Sequence, residues 1–425
     1  MPITRREALK VLGGSLAAGT LAQLVGFHSL FAQGERKPNI VLYLTDDHGY
    51  LDSGCYGNTV VKTPNVDRLA REGIRFTGAF VPSPTCTPSR SSLLTGLYPF
   101  RHGAHPNHSS IHPNLKTLPA YFSEIGYRTV HECKSDVRPR GAFPWDSTET
   151  RANPDMRRID KILAEPGEKP FFLYVCSRAP HVPWPRKSNY DPAAIVLPSY
   201  IDDTPKQRDR VARYYAAIDR MERELGHLLK LLDDHKMVDN TIFIYASDNG
   251  AQLPHAKWEL YDAGIHMPLV IRWTGKVKPG AVTDAMVSYV DLLPTLLEAG
   301  GGKAPADIDG RSFLGVLKGK TNKHRDIIFA THTKDNKLSD FPMRCVRTHT
   351  HKYILNLATT SGGYFRDKRV ATEIDGVWTW PKEELYDLRT DPHELKNVAA
   401  DPAQHDTLVT LRAKLEEIRK QQGEI

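Results

Sequence analysis

The chain has 425 residues, enough for one large hydrophobic core and a smaller second unit. Hydrophobic residues make up 40% and charged residues 25% of it, which is typical of a globular protein. The formal net charge of +7 suits an anionic partner only weakly. No zinc-finger, basic-zipper or RNA-binding aromatic motif occurs, so we expect no nucleic-acid partner.

The first 33 residues predict an export signal. Residues 4–10 include Arg5 and Arg6 and resemble a twin-arginine motif, and an apolar, small-residue stretch follows at 11–27. Gly, Ser, Thr and Gln interrupt that stretch, which makes it a poor membrane span; an uncleaved anchor or an amphipathic helix is the alternative. No later segment reaches the ~20 apolar residues that a bilayer requires. We therefore expect an exported protein, periplasmic or extracellular, without a stable membrane span.

The pattern of apolar residues predicts strands that alternate with helices over residues 36–322. Continuous β-branched runs indicate buried parallel strands, and apolar residues at helical spacing indicate amphipathic helices. In chain order we predict a strand at 39–45, helices at 65–72 and 118–125, strands at 127–131 and 170–176, a helix at 204–235, and strands at 240–246 and 267–273. Such alternation is typical of an α/β fold, a mostly parallel sheet between helices with ligands at the carboxyl ends of the strands.

The pattern changes after about residue 322. Short extended runs separated by polar turns lie at 326–331, 343–348 and 352–357, and apolar residues three or four apart predict a helix at 408–421. We therefore expect an N-terminal domain at 36–322 and a small C-terminal subdomain at 323–425, built from an antiparallel sheet and one helix.

Polar residues follow two of the predicted buried strands. Asp46 and Asp47 come after the first strand, and Asp248 and Asn249 come after the strand at 240–246. The acidic pair alone could simply cap the next element. The four side chains can meet at one edge of a parallel sheet, however, and four oxygen donors suit a hard divalent cation such as Ca²⁺ or Mg²⁺. No cluster of His and Cys at zinc-binding spacing is present.

The sharpest motif begins at Cys86. Five cysteines are spread along the chain without a C-x-x-C pair, and we expect the other four to be buried free thiols. Residues 86–96 read C-T-P-S-R-S-S-L-L-T-G and resemble the signature of the sulfatase family, C-x-P-S-R-x-x-x-L-T-G, at all seven fixed positions. The alternative is a buried structural cysteine before a turn and a helix, but a chance match over so many positions is rare.

The resemblance extends over nearly the whole chain after the signal. Segments similar to family landmarks lie at 39–47, 63–73, 126–127, 179–181, 247–250, Lys257, 384–388 and 391–392. Residues 341–344 and 356–357 look closest to the heparan N-sulfatase (sulfamidase) branch. The resemblance implies an alkaline-phosphatase-like fold and hydrolysis of sulfate from a sulfated saccharide, either N-sulfated glucosamine or an O-sulfated polysaccharide unit.

The resemblance also implies the cofactors. In sulfatases the motif cysteine is oxidised to formylglycine (3-oxoalanine) by a separate formylglycine-generating enzyme, which would modify Cys86 before export. The hydrated aldehyde offers one hydroxyl that attacks sulfur and a second that expels sulfate, which splits a hard displacement into two easier steps. One divalent cation, Ca²⁺ first and Mg²⁺ as the alternative, would act as Lewis acid and template. Its expected ligands are Asp46, Asp47, Cys86, Asp248 and Asn249.

Further residues match the positions of family active-site groups. Arg90 would hold an oxygen of the diol, and Lys134 and Lys257 would neutralise the sulfate as charge grows on its oxygens. A helix that opens near Ser89 would direct its N-terminus at the anion. His181, which follows Ala-Pro after a buried strand, would protonate the leaving group.

One position departs from the family pattern. The family usually reads G-K-x-H around its first lysine, whereas this chain reads Cys-Lys-Ser-Asp over residues 133–136. Three explanations stay open: Asp136 is the base that deprotonates the diol, a nearby histidine (His131, His105 or His108) takes that role, or the loop aligns differently and holds no base.

Two other functions stay as alternatives. A phosphate or phosphonate ester hydrolase on the same scaffold can also use formylglycine and one cation, although relatives with a plain hydroxyl nucleophile need two metals and carry Ser or Thr in place of Cys86. A non-catalytic glycan-binding relic is the second, but it has no reason to keep a modifiable cysteine beside four metal ligands. Basic residues that could grip a polysaccharide lie at 101–112 and 332–344 and at Arg138 and Arg140.

Overall fold

Strands and helices alternate along the chain. The computed structural model describes residues 36–335, 339–360 and 366–425, and the predicted export signal lies outside them. The strands are β1 (Asn39–Asp46), β2 (Ile74–Phe76), β3 (Ala79–Phe80), β4 (Arg128–Cys133), β5 (Ser147–Glu149), β6 (Phe171–Pro180), β7 (Thr241–Ser247), β8 (Leu269–Trp273), β9 (Ala281–Thr283), β10 (Val287–Ser288), β11 (Ile328–His332), β12 (Met343–Arg347), β13 (His351–Asn356), β14 (Thr372–Ile374), β15 (Val377–Thr379) and β16 (Glu383–Asp387). The α-helices are α1 (Pro64–Glu72), α2 (Cys86–Thr95), α3 (Pro99–His102), α4 (Leu118–Glu124), α5 (Met156–Ala164), α6 (Pro205–Asp234), α7 (Asp262–Ile265), α8 (Leu292–Ala299), α9 (Leu314–Leu317) and α10 (His405–Gln421).

The central sheet has eight strands in the order β5-β4-β6-β1-β7-β8-β2-β9. Strand β1 lies between β6 and β7 and is parallel to both. Alternate β1 side chains enter two different hydrophobic cores, Leu42 on one face of the sheet and Tyr43 on the other, which is why its sequence is apolar without alternation. Strand β8 runs antiparallel to its neighbours β7 and β2. The sheet is therefore mixed but mostly parallel, and the predicted fold class is confirmed.

The longest helix, α6, begins and ends close to the predicted positions. Thr204 caps it, because its hydroxyl accepts a hydrogen bond from the Gln207 N–H at 3.2 Å, and Pro205 occupies the first helical position. Buried side chains such as Ile218 and Leu225 pack into the core that contains Tyr43, while its arginines face outward. In the described chain, no helix combines the length and the apolar character needed to cross a bilayer.

A second, antiparallel sheet of four strands, β11-β12-β13-β16, carries the C-terminal part. Helix α10 packs on it through Leu411 and Leu415, which contact a small core that includes Val346 and Tyr353. The sequence analysis predicts three of these strands and the helix but not β16. Residues Pro38–Ile425 form one compact unit, and the boundary at 322 stays a prediction.

The parallel order of the central strands brings distant residues to one edge of the sheet. Thr45 of β1 pairs with Ser247 of β7, so the polar residues that follow both strands are neighbours. On the other side of β1, Asp46 pairs with Pro180 of β6, which places His181 at the same edge. Strand β4 ends beside β6 and is followed by Lys134. Four neighbouring strands therefore deliver their C-terminal residues to a single site.

Candidate active site

Three carboxylates and one thiol form the centre of this site. Ligand atoms of Asp46, Asp47, Cys86 and Asp248 all lie within 4.8 Å of one another, and all four side chains are buried. Asn249 adjoins them: its side-chain amide donates a hydrogen bond to Asp47 Oδ1 at 2.7 Å, while its buried Oδ1 has no partner in the described chain. The structure thus brings together the five residues expected as metal ligands.

Each carboxylate is paired with a cation, of which Lys257 and Arg90 are buried. Lys134 Nζ lies 2.5 Å from Asp46 Oδ2, Lys257 Nζ lies 2.7 Å from Asp47 Oδ1, and Arg90 Nε lies 2.7 Å from Asp248 Oδ2. The charges of these six side chains balance. Burial by itself would raise the pKa of Asp46, but Lys134, His181 and Arg90 hold it well below its usual value. Burial would likewise lower the pKa of Lys257, and Asp47 raises it above its usual value.

Cys86 is the first residue of α2, and every residue of that helix is buried. The helix begins three residues before the expected Ser89, so its N-terminal end carries Cys86 directly to the acidic cluster. Cys86 Sγ lies 3.5 Å from Asp46 Oδ1 and 3.7 Å from Lys134 Nζ. Burial raises the pKa of the Cys86 thiol well above its usual value, although Lys134 opposes this effect. The partial positive charge of a helix N-terminus also favours an anion at this point.

Arg90 reaches the same point from one turn further along α2. Its Nε contacts Asp248, its Nη1 donates to the Lys134 carbonyl at 3.4 Å, and its Nη2 has no hydrogen-bond partner in the described chain. That Nη2 lies 3.9 Å from Asp46 Oδ1, the oxygen that Cys86 Sγ also contacts. Arg90 Nη2 and Cys86 Sγ therefore approach the same carboxylate oxygen.

Four residues at or next to the charged side chains of the site have left-handed backbone conformations. Asp47, Cys133, Asp136 and Trp258 have φ of 68°, 79°, 51° and 73°, a region that residues other than glycine rarely occupy. Cys133 precedes Lys134, and Trp258 follows Lys257. Each such residue costs on the order of 1–3 kcal/mol, and surrounding packing has to offset this cost. These backbone conformations lower the stability of the fold, and they accompany the placement of Lys134 and Lys257 at the acidic cluster.

Asp136 lies beside Lys134 rather than apart from the site. Its Oδ2 is 3.0 Å from Lys134 Nζ, which in turn contacts Asp46 and Cys86. Burial would raise the pKa of Asp136, but the charge of Lys134 outweighs burial and lowers the pKa. Its role as a base stays a prediction.

The three candidate histidines have other partners. The ring nitrogens of His131 face the Thr148 hydroxyl and the Lys134 carbonyl, and burial lowers its pKa to about 4. His105 stacks on a phenylalanine and lies 3.3 Å from a threonine hydroxyl. His108 Nε2 lies 3.4 Å from Asp335 Oδ1. Hydrogen bonding thus directs all three rings at groups other than Cys86.

His181 forms the solvent side of the site. Its Nδ1 lies 2.6 Å from the Val182 carbonyl, which leaves Nε2 as the nitrogen that faces Asp47 Oδ2 at 3.8 Å. The side chain is 26% exposed, whereas Asp47 is buried. The imidazole can therefore contact both the acidic cluster and a ligand that enters from solvent.

Sequence reasoning misses a second set of polar residues beside Cys86. Asn107 Oδ1 accepts a hydrogen bond from the Thr87 N–H at 3.0 Å, and its amide donates to Asp335 Oδ2 at 2.9 Å. The indole of Trp258 donates to the same Asp335 oxygen at 2.7 Å. These residues come from three loops far apart in sequence, and no motif marks them. They fix the loop around α2 and the loop that carries Lys257.

Two arginines of the basic stretches expected to bind a polysaccharide form ion pairs within the fold instead. Arg101 pairs with Asp309 at 2.8 Å, and the buried Arg344 pairs with Glu424 at 2.8 Å. Arg138 and Arg140 are exposed. Lys337, in the second stretch, lies outside the described residues.

Comparisons with known proteins agree with this geometry. The sulfatase family model matches residues 38–302, and a model described as N-sulphoglucosamine sulphohydrolase, C-terminal, matches residues 255–421. An ulvan-active sulfatase of Formosa agariphila is 36% identical over 392 residues, which cover 86% of this chain and 76% of that protein. Human N-sulphoglucosamine sulphohydrolase is 28% identical over 463 residues, which cover 89% of each chain.

Solved structures show the same fold. A protein in complex with its substrate, D-glucosamine-2-N,6-O-disulfate, superposes with a TM-score of 0.72 at 22% identity and covers 92% of this chain and 99% of that one. A phosphonate monoester hydrolase of Agrobacterium radiobacter superposes with a TM-score of 0.73 at 20% identity and covers 91% and 96%. The family model, which matches well over half of the chain, and the relative at 36% identity settle the classification. The chain belongs to the sulfatase family of hydrolases.

Proposed function

We propose that this enzyme hydrolyses sulfate from a sulfated saccharide, with N-sulfated glucosamine as the first candidate and an O-sulfated polysaccharide unit as the second. The match to the N-sulphoglucosamine sulphohydrolase C-terminal model and the similarity to the human enzyme support the first. The similarity to an ulvan-active sulfatase supports the second.

The acidic cluster fits one hard divalent cation. Asp46, Asp47 and Asp248 offer carboxylate oxygens, and the buried Asn249 Oδ1, which lacks a partner in the described residues, is a further oxygen donor. A set of carboxylate and amide oxygens suits Ca²⁺, which accepts flexible coordination, better than Mg²⁺, which demands an octahedron and usually keeps several waters. Such a cation, when bound, supplies a Lewis acid and adds two positive charges to a cluster whose own charges balance.

The nucleophile in this proposal is Cys86 after conversion to formylglycine, whose hydrate supplies a hydroxyl group. In this proposal Arg90 Nη2 holds that side chain in one orientation, and its lack of a hydrogen-bond partner in the described chain, 3.9 Å from Asp46 Oδ1, supports this role. Lys134 is placed to neutralise an anion at Cys86, because its Nζ already lies 3.7 Å from Sγ. Lys257 does the same from the Asp47 side.

His181 is the proposed proton donor to the leaving group. Its Nδ1–H donates to the Val182 carbonyl, so in the imidazolium form the transferable proton is the one on Nε2, which faces Asp47. Asp136 is the proposed base, acting beside Lys134 at 3.0 Å.

One observation carries the proposal above the others: the first residue of the buried helix α2 is Cys86, and its sulfur contacts both Asp46 and Lys134. A phosphonate ester hydrolase shares the fold, but the likeness to that solved structure is at 20% identity and extends to the fold alone. In the described residues, one acidic cluster is found, which argues against the two-metal chemistry of enzymes that use a plain hydroxyl. A glycan-binding relic would not need Cys86 beside a complete set of ligands.

The test combines peptide mass spectrometry of the Cys86 peptide with sulfate release from a panel of sulfated sugars. The protein is co-expressed with a formylglycine-generating enzyme, and a Cys86→Ala variant is the matched control. We expect formylglycine in the wild type, sulfate release from at least one saccharide, and none from the variant. Complete formylglycine without sulfate release, together with turnover of a phosphonate ester, would refute the substrate class.

Export is part of the proposal. The twin-arginine-like motif at Arg5 and Arg6 is its support, and folded transport would allow Cys86 to be modified in the cytoplasm first. Replacing both arginines by lysine should retain the protein in the cytoplasm of its host, as fractionation would show. Export of that variant at the wild-type level would contradict the signal.

A further inference from the structure

A cavity of about 480 Å³ adjoins the active site at His181. Its lining residues come from the end of β6 and the segment that follows it, from α6, and from Ala152 and Asn153. The imidazole of His181 belongs to both sites, because its Nε2 faces Asp47 and its ring lines the cavity. The volume is in the ordinary range for a small-molecule pocket, roughly 300–1,000 Å³. A ligand at the reaction centre can therefore continue past His181 into the cavity.

Arginine side chains give this cavity a positive charge. Arg178, Arg220 and Arg223 line it. Arg220 pairs with Glu224 at 3.2 Å, which offsets its charge. Arg178 and Arg223 form no ion pair with any carboxylate in the described part of the chain, and both are exposed. Two positive charges in the cavity are thus left for a ligand.

The contrast along α6 makes Arg223 unusual for its helix. Of the other arginines there, Arg208 pairs with Asp203, Arg213 pairs with Asp209, and Arg210 donates to a backbone carbonyl at 2.8 Å. Arg223 alone among the arginines of this helix lines the cavity without an ion-pair partner in the described residues. Guanidinium groups bind carboxylates and sulfates through two parallel hydrogen bonds, which makes them suited to such anions.

An aromatic side chain completes the cavity. The Trp184 indole N–H donates to the Pro180 carbonyl at 2.8 Å, which fixes the ring at the cavity wall. Arg210 lies 5.7 Å from the centre of this ring. A fixed indole offers a flat apolar surface with little loss of conformational entropy on binding, and the C–H face of a sugar ring is a suitable partner for it.

We propose that this cavity is a subsite for the sugar unit next to the one that loses sulfate, and that Arg178 and Arg223 bind an anionic group on that neighbouring unit. The inference rests on the proposed function, because the leaving-group atom must lie at His181 for the next unit to enter the cavity. It narrows the substrate class to a polyanionic oligosaccharide or polysaccharide. The anionic group is a uronic acid carboxylate or a second sulfate, which share the same guanidinium chemistry.

The direct test is binding, measured without turnover. Fluorescein-labelled heparin hexasaccharide is the probe, and its fluorescence polarisation is read with the full chain carrying Cys86→Ala and saturated with Ca²⁺. Arg178→Gln and Arg223→Gln should each weaken binding about tenfold, equivalent to ~1.4 kcal/mol, and the double variant more. Lys230→Gln is the matched control, because Lys230 is an exposed cation of α6 that pairs with Asp234 and lies outside the cavity.

A catalytic comparison and modified probes separate the outcomes. In the active enzyme, the ratio of kcat/KM for the hexasaccharide to that for N-sulfoglucosamine should fall at least tenfold in the double variant and stay unchanged in Lys230→Gln. Carboxyl-reduced and O-desulfated hexasaccharides identify the group that the arginines bind. When the probe lacks that group, replacing Arg178 and Arg223 should no longer weaken binding. Added NaCl should weaken probe binding by the Cys86→Ala protein more than binding by the same protein with both arginines replaced.

The subsite would be overturned if replacing both arginines changed neither the affinity of the Cys86→Ala protein for the probe nor the kcat/KM ratio of the active enzyme. The absence of measurable binding to both the heparin hexasaccharide and an ulvan oligosaccharide would overturn it as well. Failure of the proposed function is a different result: the modified enzyme would release no sulfate from any sugar, whatever the polarisation data show.

Discussion

Replacing Arg90 by lysine separates the proposed catalytic role of this residue from its structural role. The guanidinium makes a buried ion pair with Asp248 through Nε at 2.7 Å and a weak hydrogen bond to the Lys134 carbonyl at 3.4 Å. Its Nη2 has no hydrogen-bond partner in the described residues and lies 3.9 Å from Asp46 Oδ1. Lysine keeps the positive charge but carries a single nitrogen. Lysine can therefore replace Nε in the contact with Asp248, but it cannot replace the donors Nη1 and Nη2.

The structure sets the expected magnitudes. Loss of the weak hydrogen bond should cost about 1 kcal/mol in the free energy of unfolding. Loss of the Nη2 donor should lower kcat on the order of 10²-fold, as for removal of one donor from an oxyanion site. In protein stripped of divalent cations, Arg90→Met should instead leave Asp248 as an uncompensated buried charge and destabilise the fold by roughly 3–5 kcal/mol.

The assay is sulfate release at saturating substrate, paired with urea unfolding in the presence of Ca²⁺. Arg213→Lys is the matched control, because Arg213 forms an exposed ion pair with Asp209 on the surface of α6. Full kcat in Arg90→Lys would refute the catalytic role. A loss of activity that merely follows the folded fraction would refute it equally.

Three further results are expected. Removing divalent cations with EDTA should abolish sulfate release, and Ca²⁺ should restore it better than Mg²⁺, with about one ion per chain by elemental analysis. His181→Ala should slow sulfate release from saccharides by about 10²–10⁴-fold and from an aryl sulfate far less, because a phenolate leaves without a proton. Burial would raise the pKa of Asp291, but Arg325 lowers it to about 2. This carboxylate therefore contributes about 2 kcal/mol of stability above the unfolded pKa near 4, which is lost as the pH falls towards 2, and urea unfolding of Asp291→Asn should lack that component.

Each result has an outcome that counts against it. Activity that survives exhaustive chelation would exclude a role for the cation in the reaction. Equal losses on saccharides and aryl sulfates would remove proton donation from His181 and leave it a positioning residue. A wild-type protein whose unfolding free energy is constant between pH 4 and pH 2 would contradict the Asp291–Arg325 ion pair as a source of stability.

The strands and helices could be predicted because their apolar residues are spaced as a buried strand or a half-buried helix requires. β1 and β7 are buried on both faces, so their apolar runs are unbroken, and α6 shows the spacing of a half-buried helix. The antiparallel direction of β8 could not be predicted, since a short apolar run reads alike in either direction. Strand β16 could not be predicted because only two of its five residues are apolar, between charged residues at both ends.

The centre of the site could also be predicted, because Asp46, Asp47, Asp248 and Cys86 belong to motifs tied to strand ends and to a helix start. Asn107 and Asp335 could not, since their contacts depend on how two loops more than two hundred residues apart fold against each other. The role of the cavity arginines could not be predicted from the sequence either. Arg223 looks like any charged residue on an amphipathic helix until its partners are known.

The burial of Cys86 has a consequence for the maturation of this enzyme. Its side chain is 3% exposed, at the start of a helix that is buried throughout. Under the proposed function, the enzyme that oxidises this residue needs to reach it before β1, α2 and β7 assemble, so the proposed maturation is a kinetic competition between folding and modification. A substitution that accelerates folding would then shorten the time available and lower the fraction of active molecules. Yield of active enzyme and folding rate would trade against each other in engineered variants.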